Sequence, residues 1–216
     1  MKPRKEKFRV LLLGSGGRES ALAWAIACSP HLEQLYINPG NPGTAEWGIN
    51  VRPELKTFDE IKAFCLEKDI DFVIPGPEAP LVKGIYDAFK NDPLTAAIGV
   101  IGPSQQGALL EGSKAFAKAF MQRHGIPTAA YHLVDRDTLY KGFQILDSQK
   151  PPYVLKADGL AAGKGVLILD DVDNAKRELA FMVGEKKFGE AGRKVLIEEF
   201  LQGMECSVFV LTDGQS

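Results

Sequence analysis

Residues 153–170 read YVLKADGLAAGKGVLILD, and the fold turns on that stretch. Tyr153-Val154-Leu155-Lys156 and Val166-Leu167-Ile168-Leu169 are apolar and partly β-branched, which is strand composition. Between them, Asp158 to Gly165 packs Gly159, Gly163, Gly165 and Lys164 into a short loop. The expectation is a hairpin whose tip can fold over a polyphosphate. Glycine lets backbone N–H groups approach phosphate oxygens with no Cβ between, and lysine adds a point charge. A Walker-type P-loop does not fit, because its G-x-x-x-x-G-K-S/T pattern spaces the glycines more widely and runs into a helix. Here only Leu160, Ala161 and Ala162 separate Gly159 from Gly163, while Gly165 and a strand follow Lys164. Such a tip can also be a flexible turn with a solvated lysine. Lys156, set in an otherwise apolar strand, favours a negative ligand, since burying a lysine head without a partner is costly.

The composition bounds the rest. The chain has 216 residues, with 26 Lys and Arg against 28 Asp and Glu, a formal net charge of −2. That length suits one large domain or two smaller ones. No basic excess points to nucleic acid, and no acidic tail points to disorder. The apolar run Val10 to Leu13 is too short for a signal peptide or a membrane span. Cys28, Cys65 and Cys206 stand far apart and are odd in number, which favours buried thiols in a reducing cytosol over disulfides or zinc. His31, His124 and His132 lack ligand spacing, so no metal site is expected from them.

Working outward from the hairpin, the N-terminal half alternates strands and helices. Phe8 to Leu13 is a strand suited to a sheet buried on both faces. Gly14-Ser15-Gly16-Gly17 follows, then a helix from Arg18 to Cys28. Strand, glycine loop and helix is the geometry that places anions at a helix N-terminus, although a tight turn with no ligand fits this stretch equally well. The dinucleotide fingerprint would want glycine where Glu19 stands and an acid near Tyr36-Ile37-Asn38-Pro39, so a nicotinamide site is disfavoured. Leu35 to Ile37 is a second strand, followed by the rigid loop Pro39 to Thr44. Thr57 and Glu60 have capping-box spacing, so a helix starts there with Ile61, Phe64 and Cys65 inward; Cys65 is core, not nucleophile. Phe72 to Ile74 is the third strand, Gly76 to Leu81 a loop, Leu81 to Lys90 a helix, and Ala97 to Ile101 the fourth strand. The pattern predicts an α/β fold with a doubly wound parallel sheet. Ligands of such sheets bind beyond the carboxyl ends of the strands, where GSGG, PGNPGT, GPEAPL and GPS all fall. Glu78 in that set reads either as a solvated loop acid or, given the stiffness of its loop, as a group for an amine or a ribose hydroxyl.

Ser113 is the expected N-cap of a helix from Lys114 to His124, closed by Gly125. Tyr131 to Asp135 then reads as a strand and Thr138 to Leu146 as a helix. After the hairpin come a helix from about Val172 to Val183 capped by Asp171 or a neighbour, a loop over Phe188 to Gly192, and a strand from Val195 to Ile197. A last strand is expected from Cys206 to Leu211, within Met204 to Thr212. An unpaired apolar strand is a liability, so the chain is expected to be part of a longer protein.

The stretches GSGGRESALAW, NPGNPGTA, GPEAPLVKG, GPSQQGALLEGSKAFAK, RHGIPTA, VLKADGLAAGKGV and VLIEEFLQGMECS, in this order, resemble the N-terminal half of the phosphoribosylamine–glycine ligases, ATP-grasp enzymes of purine synthesis. The resemblance implies a substrate-binding domain over residues 1–111 and a helical connector over 112–134. A small lid subdomain over 135–198 and the start of the main ATP-grasp domain over 199–216 would follow. It implies that ATP is held by Lys114, Lys156, the lid residues Gly159, Gly163, Lys164 and Gly165, the hinge Glu199, Phe200 and Leu201, and Glu198 and Glu205. Phosphoribosylamine would be held by Gly14, Gly16, Gly17, Arg18, Glu19, Asn41, Gly43, Thr44, Gly76, Pro77 and Glu78. The implied reaction joins glycine to phosphoribosylamine through a glycyl phosphate, by positioning and charge neutralisation with no protein nucleophile or catalytic base. The resemblance also implies a cytoplasmic enzyme, with Mg2+ ligands in a half not contained here, so that this chain alone should not turn over. Taken without the resemblance, Glu198-Glu199 reads as a solvated strand end. The family pattern GGREHA is broken by Ser20, which stands where histidine is expected. Serine donates a hydrogen bond but carries no proton charge near neutral pH, which bears on any substrate-phosphate role there. A nonenzymatic nucleotide-binding module and another ATP-grasp carboxylate–amine ligase are the competing readings.

Overall fold

The computed structural model describes residues 6–161, 164–184, 193–208, 210 and 212. The chain divides into two compact units, Met1–Ala117 and Lys118–Ser216.

The first unit is built on β1 (Phe8–Gly14), the central strand of a five-stranded parallel sheet. Beside it lie β2 (Leu32–Pro39) and β4 (Phe72–Pro75), with the two-residue strands β3 (Ile49–Asn50) and β5 (Gly99–Val100) at the edges, in the order β3-β2-β1-β4-β5. The unbroken apolar run of β1 is explained by what each side chain meets. Leu11 and Leu13 face a core with Ile61 and Cys65 of α2 (Phe58–Glu67) and Ile85 and Phe89 of α4 (Ile85–Lys90). Val10 and Leu12 face the opposite core, with Ala23 of α1 (Gly17–Ala27). Side chains alternate along a strand, so a strand covered on both faces must be apolar at every position. This is the doubly wound arrangement. Cys65 is fully buried, and burial pushes its thiol up to about 12, which removes it as a nucleophile at neutral pH.

Several boundaries differ from expectation. The helix expected over Leu81 to Lys90 is broken into α3 (Ala79–Val82) and α4, because Gly84 between them sits at φ +93°, a left-handed backbone that ends one helix and opens the next. β2 is longer than expected. α5 (Gln105–Gly112) was not foreseen; Ser104 caps it by accepting the Gly107 N–H at 3.3 Å. α6 (Lys114–Arg123) begins as its cap predicts, with Ser113 Oγ accepting the Phe116 N–H at 3.1 Å, and Gly125 beyond it has φ +64°.

The second unit is a four-stranded antiparallel sheet in the order β6-β9-β7-β8, made of β6 (Tyr131–Val134), β7 (Tyr153–Ala157), β8 (Val166–Leu169) and β9 (Val195–Glu198). The hairpin is the β7–β8 pair, in the register Tyr153 to Leu169 and Lys156 to Val166. One face of the sheet carries the core: Tyr153, Leu155 and Ala157 of β7 and Val195 and Ile197 of β9 pack with Leu146 of α7 (Leu139–Ser148) and Leu179 and Met182 of α8 (Val172–Gly184). Asp171 caps α8 through the Asn174 N–H at 2.7 Å. The loop expected over Phe188 to Gly192 lies outside the described residues. The strand expected over Cys206 to Leu211 does not form among the described residues there.

The capping box of α2 gives a pH test. Glu60 Oε2 accepts the N–H groups of Thr57 at 2.9 Å and Lys56 at 2.6 Å, and the Thr57 N–H is the larger cause holding the carboxyl below its ordinary range. A carboxyl that titrates lower in the folded chain stabilises fully above its unfolded value of about 4.3. That contribution is lost as the pH falls through the folded value. The stability advantage of the chain over Glu60→Gln, read from urea midpoints, should therefore be present at neutral pH and vanish in the acid limb. An advantage that persists there contradicts the assignment.

Candidate functional site

The sheet of the second unit has a face that the core does not use. Val154 pairs with Glu198 on one side and Ile168 on the other, and Lys156 pairs with Val166. Directly paired residues share a face, so the register alone brings Val154, Lys156, Val166, Ile168 and Glu198 together, opposite Tyr153 and Leu155. These residues floor a cavity of about 640 Å³. Its other wall is the segment after β9, including Glu199, Phe200, Leu201 and Glu205. The segment is tied to the body by a reciprocal pair: the Glu199 N–H donates to Ala130 O at 2.9 Å and Glu199 Oε2 accepts the Ala130 N–H at 3.2 Å.

Three charges meet at the cavity floor, two lining it and Lys118 behind them. Glu198 Oε2 lies 2.9 Å from Lys156 Nζ and 3.3 Å from Lys118 Nζ. The Glu198 side chain is 4% exposed, that of Lys118 8%, and that of Lys156 31%. Lys118 also donates to Thr128 Oγ1 at 2.9 Å and Ala129 O at 3.0 Å, and its ammonium stands 5.6 Å from the Tyr131 ring centroid. Lys156 and Glu198 both line the cavity, whereas Lys118 lies behind them. Apolar side chains, a lysine on the floor and strand-end peptide groups fit a ligand with a flat heterocycle and an anionic tail.

Of the sequence-predicted nucleotide residues, the structure brings Lys156, Glu198, Glu199, Phe200, Leu201 and Glu205 around this one cavity. Gly159, Lys164 and Gly165 are at the hairpin tip and do not line it. Gly159 needs its glycine because φ is +92°, and a Cβ on Gly165 would come within 2.7 Å of the Ala161 methyl. Gly163 lies outside the described residues. Lys114, in the first turn of α6, belongs to the other compact unit. Glu198 is not the solvated strand end that its sequence suggests; it is buried between two lysines. Lys118 was missed, although its neighbours Phe116, Ala117, Ala119 and Phe120 mark a lysine carried in an apolar stretch.

In the first unit, the parallel sheet sends the loops after β1, β2 and β4 to one edge, where hydrogen bonds join them. Gly40 N donates to Gly14 O at 3.0 Å, Gly76 N to Leu13 O at 2.8 Å, and Asn41 Nδ2 to Ser15 O at 2.8 Å. Arg18 Nη1 donates to Gly76 O at 3.2 Å and lies 3.7 Å from Glu78 Oε2. Arg18, Gly76 and Glu78 border a depression of about 280 Å³. Pro77 borders a second of about 160 Å³ with Gly14. Gly16, Gly17 and Gly43 complete these loops. Glu19 and Thr44 turn inward instead of outward. Glu19 is buried, accepts the Gly16 N–H at 2.6 Å, and fills the space that a Cβ on Gly14 or Gly76 would occupy. Thr44 Oγ1 is committed to Asn41 and Asn50. Both hold the loops in place. Ser20 Oγ is shared with Asn41, 3.0 Å from Nδ2. Among the described residues, no group of three or more His, Cys, Asp or Glu side chains is placed to hold a metal ion.

Residues 8–111 match the N domain of phosphoribosylglycinamide synthetase, and residues 112–216 match the ATP-grasp (A) domain of the same family. A phosphoribosylamine–glycine ligase of Allochromatium vinosum is 47% identical over 210 residues, 96% of this chain and 48% of that protein. Its counterpart in Vibrio parahaemolyticus is 45% identical over 211 residues, 97% of this chain and 48% of that protein. The crystal structure of phosphoribosylamine–glycine ligase from Thermotoga maritima superposes with a TM-score of 0.71 at 34% identity, covering 91% of this chain and 44% of that one. D-alanine–D-alanine ligase from Bacillus anthracis, at 17% identity and a TM-score of 0.62, shares the fold. The chain spans about half the length of the curated relatives it matches.

Removing a shared buried acceptor should cost more than removing an exposed carboxylate on the same cavity. Glu198→Ala should lower the unfolding free energy by about 3 kcal/mol or more, the cost of breaking a buried ion pair. Glu205→Ala, at an exposed position, should stay within about 0.5 kcal/mol. Equal losses in urea titrations would contradict the buried cluster.

Proposed function

The chain belongs to the phosphoribosylglycinamide synthetase family, and we propose that it supplies the nucleotide site and the phosphoribosylamine site of an ATP-dependent ligase that makes glycinamide ribonucleotide. A glycine carboxylate oxygen attacks the γ-phosphorus of ATP and ADP leaves, giving glycyl phosphate. The amine of phosphoribosylamine then attacks the acyl carbon, the C–O bond to phosphate breaks, the nitrogen loses a proton, and an amide remains. Neither step needs a protein nucleophile, so the work of the chain is to position reactants and balance charge.

The observation that carries this reading is the cavity over the sheet of the second unit, with Lys156 on its floor, apolar side chains of β7 and β8 beside it and the segment after β9 opposite. Adenine would lie between Val154 and Ile168 on the sheet and Phe200 and Leu201 on the following segment, its edge meeting peptide groups of Glu199 to Leu201. Glu205 would accept ribose hydroxyls, and Glu198 would receive the adenine amine. Lys156 and Lys114 would contact phosphates, with Gly159, Gly163, Lys164 and Gly165 closing over them. In the first unit, the N-terminus of α1 at Gly16 and Gly17 offers N–H groups to the phosphate of phosphoribosylamine. Arg18, Asn41, Gly43, Gly76 and Pro77 would shape the rest of that site, and Glu78 would face the amine. The domain roles follow: residues 1–111 for substrate, 112–134 as connector, 135–198 as lid, and 199–216 opening the main nucleotide domain.

Mg2+ would supply charge neutralisation at the ATP phosphates, but among the described residues no group of three or more His, Cys, Asp or Glu side chains is placed to hold it, so no step is routed through it. Its ligands and the glycine contacts are assigned to the part of the relatives that this chain does not span. No described helix is long and apolar enough to cross a membrane, and the three cysteines are free; a cytoplasmic enzyme of small-molecule substrates fits both facts.

The test is phosphate release with ATP, glycine and fresh phosphoribosylamine, on this chain and on one extended to the length of its relatives. The longer chain should release phosphate only with both substrates present. Lys156→Ala in that chain should cost about 1.5–3 kcal/mol in kcat/KM for ATP, the range for a charged hydrogen bond. Phosphate release unchanged by Lys156→Ala would remove that role. ATP binding without turnover in either chain would favour a nonenzymatic nucleotide-binding module.

A further inference from the structure

An ATP phosphate must compete with Glu198 for Lys156. In the structure its ammonium is 2.9 Å from Glu198 Oε2, whereas the proposed function sends it to an ATP phosphate. A lysine that swings away leaves its former partner behind, and a buried carboxylate stripped of its cation is strongly destabilising. Glu198 is 4% exposed, so water cannot take over that task.

Lys118 resolves the conflict. It touches the same oxygen, Glu198 Oε2, at 3.3 Å. Unlike Lys156, it is fixed. An ammonium has three N–H donors, and those of Lys118 have Thr128 Oγ1, Ala129 O and Glu198 Oε2 within reach, with an 8% exposed stem. Nothing in its setting lets it reach a ligand in the cavity, which it does not line. Lys156 lines the cavity and is about a third exposed, with Glu198 as its ion-pair partner. One carboxylate thus carries a permanent cation and an exchangeable one.

We propose that Lys118 is a positioning residue: it is the standing counter-ion of Glu198, and its presence lets Lys156 exchange Glu198 for an ATP phosphate. The proposal rests on the reading of the cavity as the nucleotide site. Without Lys118, Lys156 becomes the only cation on a buried carboxylate and is held there, so phosphates must compete for it. The defect falls on the phosphate part of the ligand and spares the nucleoside part. A lysine that merely supports the fold would affect both parts alike.

The quantity to measure is the ratio of the adenosine and ATP dissociation constants, taken by calorimetry on the intact chain at one fixed salt concentration. Dividing by adenosine removes any general damage to the pocket. Lys118→Met should reduce this ratio by about tenfold or more, the order of one charged hydrogen bond. Adding Glu198→Gln to Lys118→Met should restore it, because the carboxylate charge that detains Lys156 is then gone. An unchanged ratio in Lys118→Met overturns the proposal, as does a reduced ratio that Glu198→Gln fails to restore. Should Lys118→Met not fold, the comparison is Glu198→Gln with and without Lys118→Met. In that background the ratio should be the same, and a drop on removing Lys118 overturns the proposal, since Lys118 would then be acting other than through Glu198. Wild-type protein that binds ATP no better than adenosine would instead overturn the nucleotide site itself. Wild-type protein that prefers ATP, with Lys118→Met preferring it equally, would overturn only the role of Lys118.

Discussion

A carboxylate taken out of water at the end of a strand requires cations beside it, and the second unit is arranged to provide them. Glu198 closes β9, an inner strand of its sheet, where it is buried with one side toward the cavity. β7 supplies one lysine from the neighbouring strand, and α6 supplies the other from the start of the unit. The ion cluster therefore joins the helix, the hairpin strand and the strand that leads into the cavity wall. Burial of a charge pair is weak evidence for stability as such, because desolvation offsets much of the Coulomb gain. What the cluster does provide is a resting place for Lys156 on the cavity floor, beside apolar side chains set there by the same register.

The first unit meets a related requirement by other means. Its loops converge because parallel strands end at one edge, but convergence alone would leave them mobile. Glu19 binds two of them together from within. Its carboxylate caps α1 and occupies the volume that glycine leaves open at positions 14 and 76. The glycines of GSGG and GPEAPL thus serve a buried acid as well as any ligand approach. The Asn41, Thr44 and Asn50 side chains stiffen the third loop in the same way. An arginine and a glutamate, Arg18 and Glu78, are left at the rim of the depression.

Much of this was legible in the sequence because it depends on local patterns. The apolar, partly β-branched runs YVLK and VLIL around a glycine-rich loop point to a hairpin, and the unbroken apolar run of β1 points to a strand covered twice. The capping residues Thr57, Ser113 and Asp171 fix three helix starts. What escaped has a physical reason in each case. β3 and β5 are two residues long and have no period to read. The apolar residues on either side of Gly84 continue one helical pattern, and the break is a backbone angle that sequence does not display. Gly107 and Gly112 weaken the helical signal of α5. The family resemblance implies ligand contacts for Glu19 and Thr44, and that their side chains point inward is decided by tertiary packing, which sequence does not display. The pairing of Lys118 with Glu198 spans residues far apart in sequence, so neither residue announces the other. A lysine inside an apolar stretch was nonetheless a usable sign, and it applied to Lys118 as well as to Lys156.

The central claim is that the cavity beside β7 and β9 holds a nucleotide through Lys156. The most direct measurement is a crystal structure of the protein with a non-hydrolysable ATP analogue. The account predicts the base between Ile168 and the segment from Phe200 to Glu205, a phosphate oxygen on Lys156 Nζ, and Lys118 still on Glu198. A nucleotide bound elsewhere, with Lys156 remaining on Glu198, would contradict it.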